Sequence, residues 1–400
     1  MPVSESSSSC VLPCRAARDS VAQVLPQGGI HNSTVDDRFV YRAYMRPRTS
    51  HSQQKKMDTP AEPNLRERER SYVARRASPP DLPDQGATPR GFCAVPRSED
   101  KVVEQPAFSR SENVAAIVHR ILGGRYARAW KRDFVDLAFR FTDRAYAGRC
   151  RGWLACDTPY HDLQHALATA LLLARMIDGW EHTRNPSAVP IAAGTAAAGI
   201  VIALMHDSGF LRRPHEKHVR GAALTPLHET RSIEFAREYL ANSALPEMAP
   251  LAQLIDATRL AGGFTEFSEP EQRALAQMLG TADLVSQLAD RLYVEKCYHE
   301  LYPEFVEAGI ARSANGVNPG ARFTSPEQLV RDTPAFYREV VVPRLDGPLG
   351  GARRLIAAHF GGADPYQRAI DRNIRFAGVI AKSDRFDLLR LPNDPAALFG

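Results

Sequence analysis

The sequence is poor in paired cysteine, in net charge and in strand-like alternation. Its six cysteines are Cys10, Cys14, Cys93, Cys150, Cys156 and Cys297. Only Cys10 and Cys14 stand near metal-ligand spacing, and no second pair matches them. A disulfide scaffold is therefore not expected, and isolated reduced thiols of a cytoplasmic protein fit this usage. The formal net charge is +5, but through Arg110 the chain carries 17 Lys/Arg against 13 Asp/Glu, and after it 34 against 33. A nearly neutral body lacks the concentrated basic face that nucleic acids require, so no nucleic-acid partner is expected.

No secretory leader is legible in the first twenty residues, which contain the polar run Ser6–Ser9 and no apolar segment. Ala188 to Met205 carries no charge, but it holds Pro190, Gly194 and Gly199 and is built largely of Ala and Gly. A buried core helix explains that stretch better than a membrane span. No internal repeat is visible.

With 400 residues, 44% of them hydrophobic, the chain can bury one large or two medium cores. The first part is an exception. Residues 1–110 are rich in Ser, Pro and Arg, with an alternating charge run at Arg66-Glu67-Arg68-Glu69-Arg70 and seven prolines between Asp58 and Pro96. Such a stretch buries too little to offset its ordering entropy, so a disordered tail is expected there, with no partner indicated.

From Ser111 the pattern turns helical. Ser111-Glu112-Asn113 precedes the mostly apolar run Val114–Leu122, and Trp130, Phe134, Leu137, Ala138 and Phe141 recur at helical spacing over about 125–147. Gly148 to Tyr160 reads as a loop. Further helices are expected near 161–178, 188–206, 228–242, 247–260, 270–300, 326–342 and 365–381. Gly262-Gly263, Gly320 and Gly350-Gly351 mark breaks. The fold class is all-α over 111–400, with the chemistry concentrated in about 155–300.

Three constellations carry that chemistry. In Tyr160-His161-Asp162-Leu163-Gln164-His165, two histidines four apart share one face if the segment is helical. They could serve one site, or simply be structural. His206-Asp207 ends a helix that is apolar on nearly every side. A carboxylate there needs a cation, hydrogen bonds or a shifted pKa, though a local cap would also satisfy it. Asp283, in Thr281-Ala282-Asp283-Leu284, sits inside a long helix beside an apolar stripe, with Gln287 and Asp290 on the same face. A surface Asp is the plain alternative. Together the three supply two imidazoles and two carboxylates. That set suits Zn, Mn, Fe or Mg, and helical bundles can build such sites from facing helices.

These motifs carry a family resemblance. Phe141-Thr142-Asp143, Tyr160 to Ala166, Leu204-Met205-His206-Asp207 and Ala282-Asp283-Leu284 stand in the order seen in HD-superfamily metal-dependent phosphohydrolases. Residues 136–305 are similar specifically to the cyclic nucleotide phosphodiesterase catalytic core, and Tyr302-Pro303-Glu304-Phe305 echoes its following helix. His165 and His206 are 41 positions apart, and Asp207 and Asp283 are 76 apart. The second gap looks more like that of compact bacterial relatives.

The resemblance implies an HD-domain, phosphodiesterase-like helical bundle hydrolysing a small-molecule phosphoester. His165, His206, Asp207 and Asp283 would ligate a first divalent ion, and Asp207 would bridge to a second. Metal-activated hydroxide would attack phosphorus while His161 protonates the leaving oxygen.

The sequence also departs from the family. Asp162 stands where Asn is usual, and Phe210 where a further His is usual. His228 and Glu229 are candidate contacts for the second metal or its water, or else a solvated helix start. Tyr160 and Gln287 are candidate substrate contacts. The purine clamp of the cyclic nucleotide enzymes has no convincing match, with Gln328 and Phe336 too loosely spaced. The cluster Arg212-Arg213-Pro214-His215-Glu216-Lys217-His218 reads as a solvated loop or as positive charge for a phosphate. A nucleotidase or other phosphomonoesterase on the same metals, or a non-catalytic HD-type signalling module, are the rival readings.

Overall fold

The computed structural model describes residues 110–187, 189–260, 263–312 and 321–392. The expected tail up to Ser109, with Cys10, Cys14 and Cys93, lies outside the described residues, as do Gly262 and Gly320. Within them the chain is helical, and a single isolated bridge between Ala311 and Phe323 is the only β pairing. None of the described helices is long and apolar enough to cross a membrane.

The first helix, α1 (Ser111–Tyr126), runs through Gly123-Gly124 and stops at Ala127, whose φ of 49° breaks it. A 3₁₀ turn leads into α2 (Arg132–Tyr146). The helix expected over 125–147 is thus seven residues shorter at its start, and Trp130 explains why. Its buried indole stacks on Tyr126 and donates to His119 Nδ1 at 3.0 Å, folding the chain back onto α1 instead of extending a helix.

At the centre lie α3 (Leu163–Thr183) and α4 (Ala193–Met205). Leu171, Leu172, Leu173 and Ala174 are all buried, so α3 is covered on every side, as α4 is from Thr195 to Met205. Then come α5 (His228–Ala241), a 3₁₀ run over Pro246–Thr258 and α6 (Pro270–Leu288). Both α4 and α6 pack on α3, and the 3₁₀ run packs on α4, α5 and α6.

The single helix expected over 270–300 is broken after Leu288. It resumes as α7 (Tyr293–Lys296), a π-helical turn over Cys297–Leu301 and α8 (Tyr302–Glu307). Asp290 makes the break: its carboxylate accepts from Leu292 N at 2.8 Å and from Lys296 Nζ at 2.6 Å. The Leu288 and Asp290 carbonyls accept from Asn373 Nδ2 at 2.8 and 2.6 Å, so the interrupted ladder leaves neither without a donor.

Six further segments follow among the described residues: α9 (Pro326–Phe336), a π-helical turn over Tyr337–Val341, α10 (Val342–Asp346), α11 (Arg354–His359), α12 (Pro365–Ser383) and a last 3₁₀ turn, Phe386–Leu388. Helix α11, which the periodicity does not announce, crosses α3 at Gly179, where a Cβ would meet Leu355 O at 2.0 Å. Only glycine permits that approach.

Candidate metal centre

Three elements bring the four expected ligands together. Asp162 caps α3, its Oδ1 accepting from His165 N at 3.0 Å, which sets His165 in the first turn. His161 therefore stands just before the helix, not one turn along a shared face as the spacing suggests. His206 and Asp207 follow the last residue of α4, and the chain turns at once into a 3₁₀ turn, Ser208–Phe210. A Cβ on Gly209 would meet His228 O at 1.9 Å, so glycine lets α5 press on this turn. Ser232 Oγ accepts from Gly209 N at 2.8 Å, and Arg231 Nε donates to Gly209 O at 2.8 Å. Asp283 points in from the middle of α6.

The donor atoms converge. His165 Nε2 is 3.1 Å from His206 Nε2, 3.1 Å from Asp283 Oδ1 and 3.3 Å from Asp207 Oδ2. His206 Nε2 is 3.2 Å from Asp207 Oδ2 and 3.6 Å from Asp283 Oδ1. With ligand bonds of about 2.0–2.1 Å, adjacent donors on one ion are separated by about 3.0 Å in an octahedron and about 3.4 Å in a tetrahedron. Four of the five observed spacings fall in that range, and the 3.6 Å between His206 Nε2 and Asp283 Oδ1 lies just above it.

Three observations fit the set to a cation. Asp207 Oδ2 is buried without a hydrogen-bond partner, though it faces both imidazoles. His206 Nδ1 is 2.8 Å from Ala203 O, and a carbonyl can only accept. The proton of neutral His206 is thereby fixed on Nδ1, leaving the Nε2 lone pair for the cluster, the arrangement of a metal-ligating histidine. Finally, the site calls for positive charge. Burial opposes a charged His206, yet Asp207 and Asp283 outweigh it and hold its pKa well above the ordinary imidazole value. Burial would raise both carboxyls, but the imidazoles beside them keep each well below the usual carboxylate range. The cluster of His165, His206 and Asp283 could hold a metal ion, with Asp207 beside it.

Around this cluster stand residues of unequal legibility. Glu304, named in the sequence only as part of an echoed helix, accepts from His161 Nδ1 at 2.5 Å and from Tyr160 N at 2.7 Å. Burial disfavours the charged imidazole of His161, but Glu304 prevails and pushes its pKa up to about 9. Phe210 stacks on His161 at 4.7 Å between centroids and on His228 at 4.5 Å. His228 Nδ1 is 2.7 Å from Thr225 O, and its Nε2 lies 3.9 Å from Asp207 Oδ1. His228 thus faces the cluster. Glu229 turns elsewhere, its Oε2 lying 3.3 Å from the far nitrogen of His228 and 3.5 Å from Arg259 Nη1.

Tyr160 and Gln287 spend their polar groups inward. Tyr160 OH donates to Gln287 Oε1 at 3.0 Å, and Gln287 Nε2 donates to Asp283 Oδ1 at 2.7 Å. Together these two residues, the substrate contacts expected from the sequence, form a chain of hydrogen bonds that ends on the Asp283 carboxylate. Such supporting bonds are worth about 10–100-fold in metal affinity. Gln287→Ala is therefore expected to weaken Mn²⁺ binding by about that factor while the fold persists, as read by calorimetric titration.

The basic loop after the His-Asp pair is internally committed. Arg212 pairs with Asp157 at 3.0 Å, Arg213 lies 3.4 Å over the Trp153 ring, and Glu216 pairs with Arg231 at 2.9 Å. These contacts favour the structural reading of Arg212, Arg213 and Glu216 over a phosphate clamp.

With known proteins the likeness is narrow. A family model described as Npun_R2479-like matches residues 214–351, about a third of the chain. That stretch includes His228, Asp283, Gln287 and Glu304, and begins after His165, His206 and Asp207. No curated protein matches the chain.

Proposed function

We propose that this chain is a metal-dependent phosphohydrolase with an HD-type helical bundle, hydrolysing a phosphodiester at the His165–His206–Asp207–Asp283 centre. The observation that carries the reading is the convergence of four donor atoms beside a histidine whose charged form is stabilised. His165 and His206 offer Nε2, while Asp207 and Asp283 offer Oδ2 and Oδ1. A divalent ion bound there would act as Lewis acid and lower the pKa of the water that attacks phosphorus. Mn, Mg, Fe and Zn all suit this nitrogen–oxygen set.

The chain's own groups supply the rest. The Glu304 carboxylate fixes the His161 ring through Nδ1 and stabilises its charged form. His161 then carries a proton at neutral pH, and its remaining nitrogen can give that proton to the leaving alkoxide. The buried Phe210 ring covers one side of His161 and keeps it from bulk water. Gln287 holds the Asp283 carboxylate in its ligating orientation.

The direct test is metal content by mass spectrometry together with turnover of bis(p-nitrophenyl) phosphate. The protein is expected to carry a divalent ion and to lose turnover with chelator. Turnover of p-nitrophenyl phosphate alone would reassign it as a phosphomonoesterase. Absence of both metal and turnover would remove the enzyme reading.

A further inference from the structure

We infer that the centre takes one divalent ion per chain, and that Phe210 with its two stacked imidazoles fills the place where a second would sit. The inference rests on the metal-centre reading above. It concerns the surroundings of Asp207 Oδ1, the oxygen turned away from His165 and His206.

A second cation at that oxygen would need further donors or acceptors for its waters. Toward that side lies His228 Nε2, 3.9 Å from Oδ1, with the Phe210 ring stacked on the His228 imidazole at 4.5 Å between centroids. The phenyl group is 1% exposed and stacks on both His161 and His228, with interplanar angles of 20° and 17°. It offers neither a lone pair nor a hydrogen-bond acceptor to a cation or its hydration shell. A hard divalent ion keeps an oxygen- and nitrogen-rich shell, so an aromatic face there excludes it.

Charge leads to the same count. Asp207 and Asp283 balance one divalent ion. Four other carboxylates around the centre are committed. Glu304 binds His161 at 2.5 Å, Glu229 lies 3.5 Å from Arg259, Asp162 caps α3 through His165 N at 3.0 Å, and Asp290 pairs with Lys296 at 2.6 Å. A second dication would bring two positive charges into a buried site where none of these four carboxylates is left to meet them. With one ion, the hydrolytic site consists of that ion flanked by His161 and His228, whose ring centroids are 6.4 Å apart.

The test is equilibrium dialysis of the full chain against excess Mn²⁺, read by mass spectrometry and by the paramagnetic resonance spectrum of the bound ion. One ion per chain with the spectrum of an isolated Mn²⁺ is expected. Two ions, or the spectrum of a coupled pair, would overturn the inference and leave the metal-centre reading intact. No bound ion would remove both. Phe210→His supplies the missing donor and is expected to double the uptake. Unchanged uptake in a folded Phe210→His protein would show that Phe210 is not what excludes the second ion. Should that variant not fold, the wild-type count and spectrum still decide.

Discussion

Asp207→Ala is expected to bind no divalent ion, to lose the metal-dependent rise in melting temperature and to turn over phosphodiester about a thousandfold more slowly. The expectation follows from where Asp207 sits. Its Oδ2 is a buried oxygen without a hydrogen-bond partner, 3.3 and 3.2 Å from the two imidazole nitrogens. A cation would satisfy that oxygen, and its removal leaves Asp283 as the only carboxylate in the set. An ion present at a hundred times its dissociation constant stabilises the folded state by about 2.7 kcal/mol. For a domain of this size each kcal/mol is worth roughly 2–4 °C, so the wild type should melt about 5–10 °C higher with metal than with chelator. The variant should melt at one temperature in both. A Lewis acid supplies several kcal/mol of transition-state stabilisation, and about 4 kcal/mol corresponds to the thousandfold loss. Calorimetry in metal and in chelator, alongside the phosphodiester assay, reads both effects. An Asp207→Ala protein that keeps its metal-dependent melting shift would show that the ion sits elsewhere.

How legible was this site in the chain? The four candidate ligands could be picked out because each is a polar residue that hydrophobic patterning does not require. His206 and Asp207 end a helix with no polar face, and Asp283 sits inside a long helix beside an apolar stripe. Such misfits survive in a one-dimensional reading. The surrounding residues do not. Glu304 is one acid in a short helix, and only tertiary packing brings it to 2.5 Å from His161 across 143 positions of sequence. Phe210 stands where the family resemblance leads one to expect His. That its ring stacks on His161 and His228 depends on how α5 meets the turn at Gly209. Helix existence was likewise clearer than helix continuity. The interruption after Tyr126 is made by Trp130 folding back, and that after Leu288 by Asp290, with Asn373 of α12 meeting the freed carbonyls, contacts to which hydrophobic periodicity is blind. His161 shows the cost of assuming continuity. Its four-residue spacing from His165 suggested one helical face, yet Asp162 caps the helix between them.

His161→Ala should lower turnover by about 10²–10⁴-fold while metal stays bound. The loss should grow with the basicity of the leaving group, because an alkoxide needs the proton and p-nitrophenolate scarcely does. Loss of the ion in this variant would instead mark His161 as a ligand. The pH dependence separates catalysis from scaffolding. Free imidazole titrates near 6.5, and Glu304 raises His161 to about 9 against the opposing effect of burial. A general acid must be protonated, so its contribution is present below its folded-state pKa and is lost as pH rises through that value. A bound ion neutralises Asp207 and Asp283, which removes their smaller share of the upward shift and leaves Glu304 to sustain it. The falling limb of turnover should therefore lie between about 6.5 and about 9 in the wild type. In Glu304→Gln the carboxylate is gone but burial remains, so the limb should move to lower pH, with turnover at pH 7 reduced and metal affinity little changed. A falling limb that stays in place in Glu304→Gln would show that the carboxylate does not hold the proton on His161, and that the pair at 2.5 Å serves only to orient the ring.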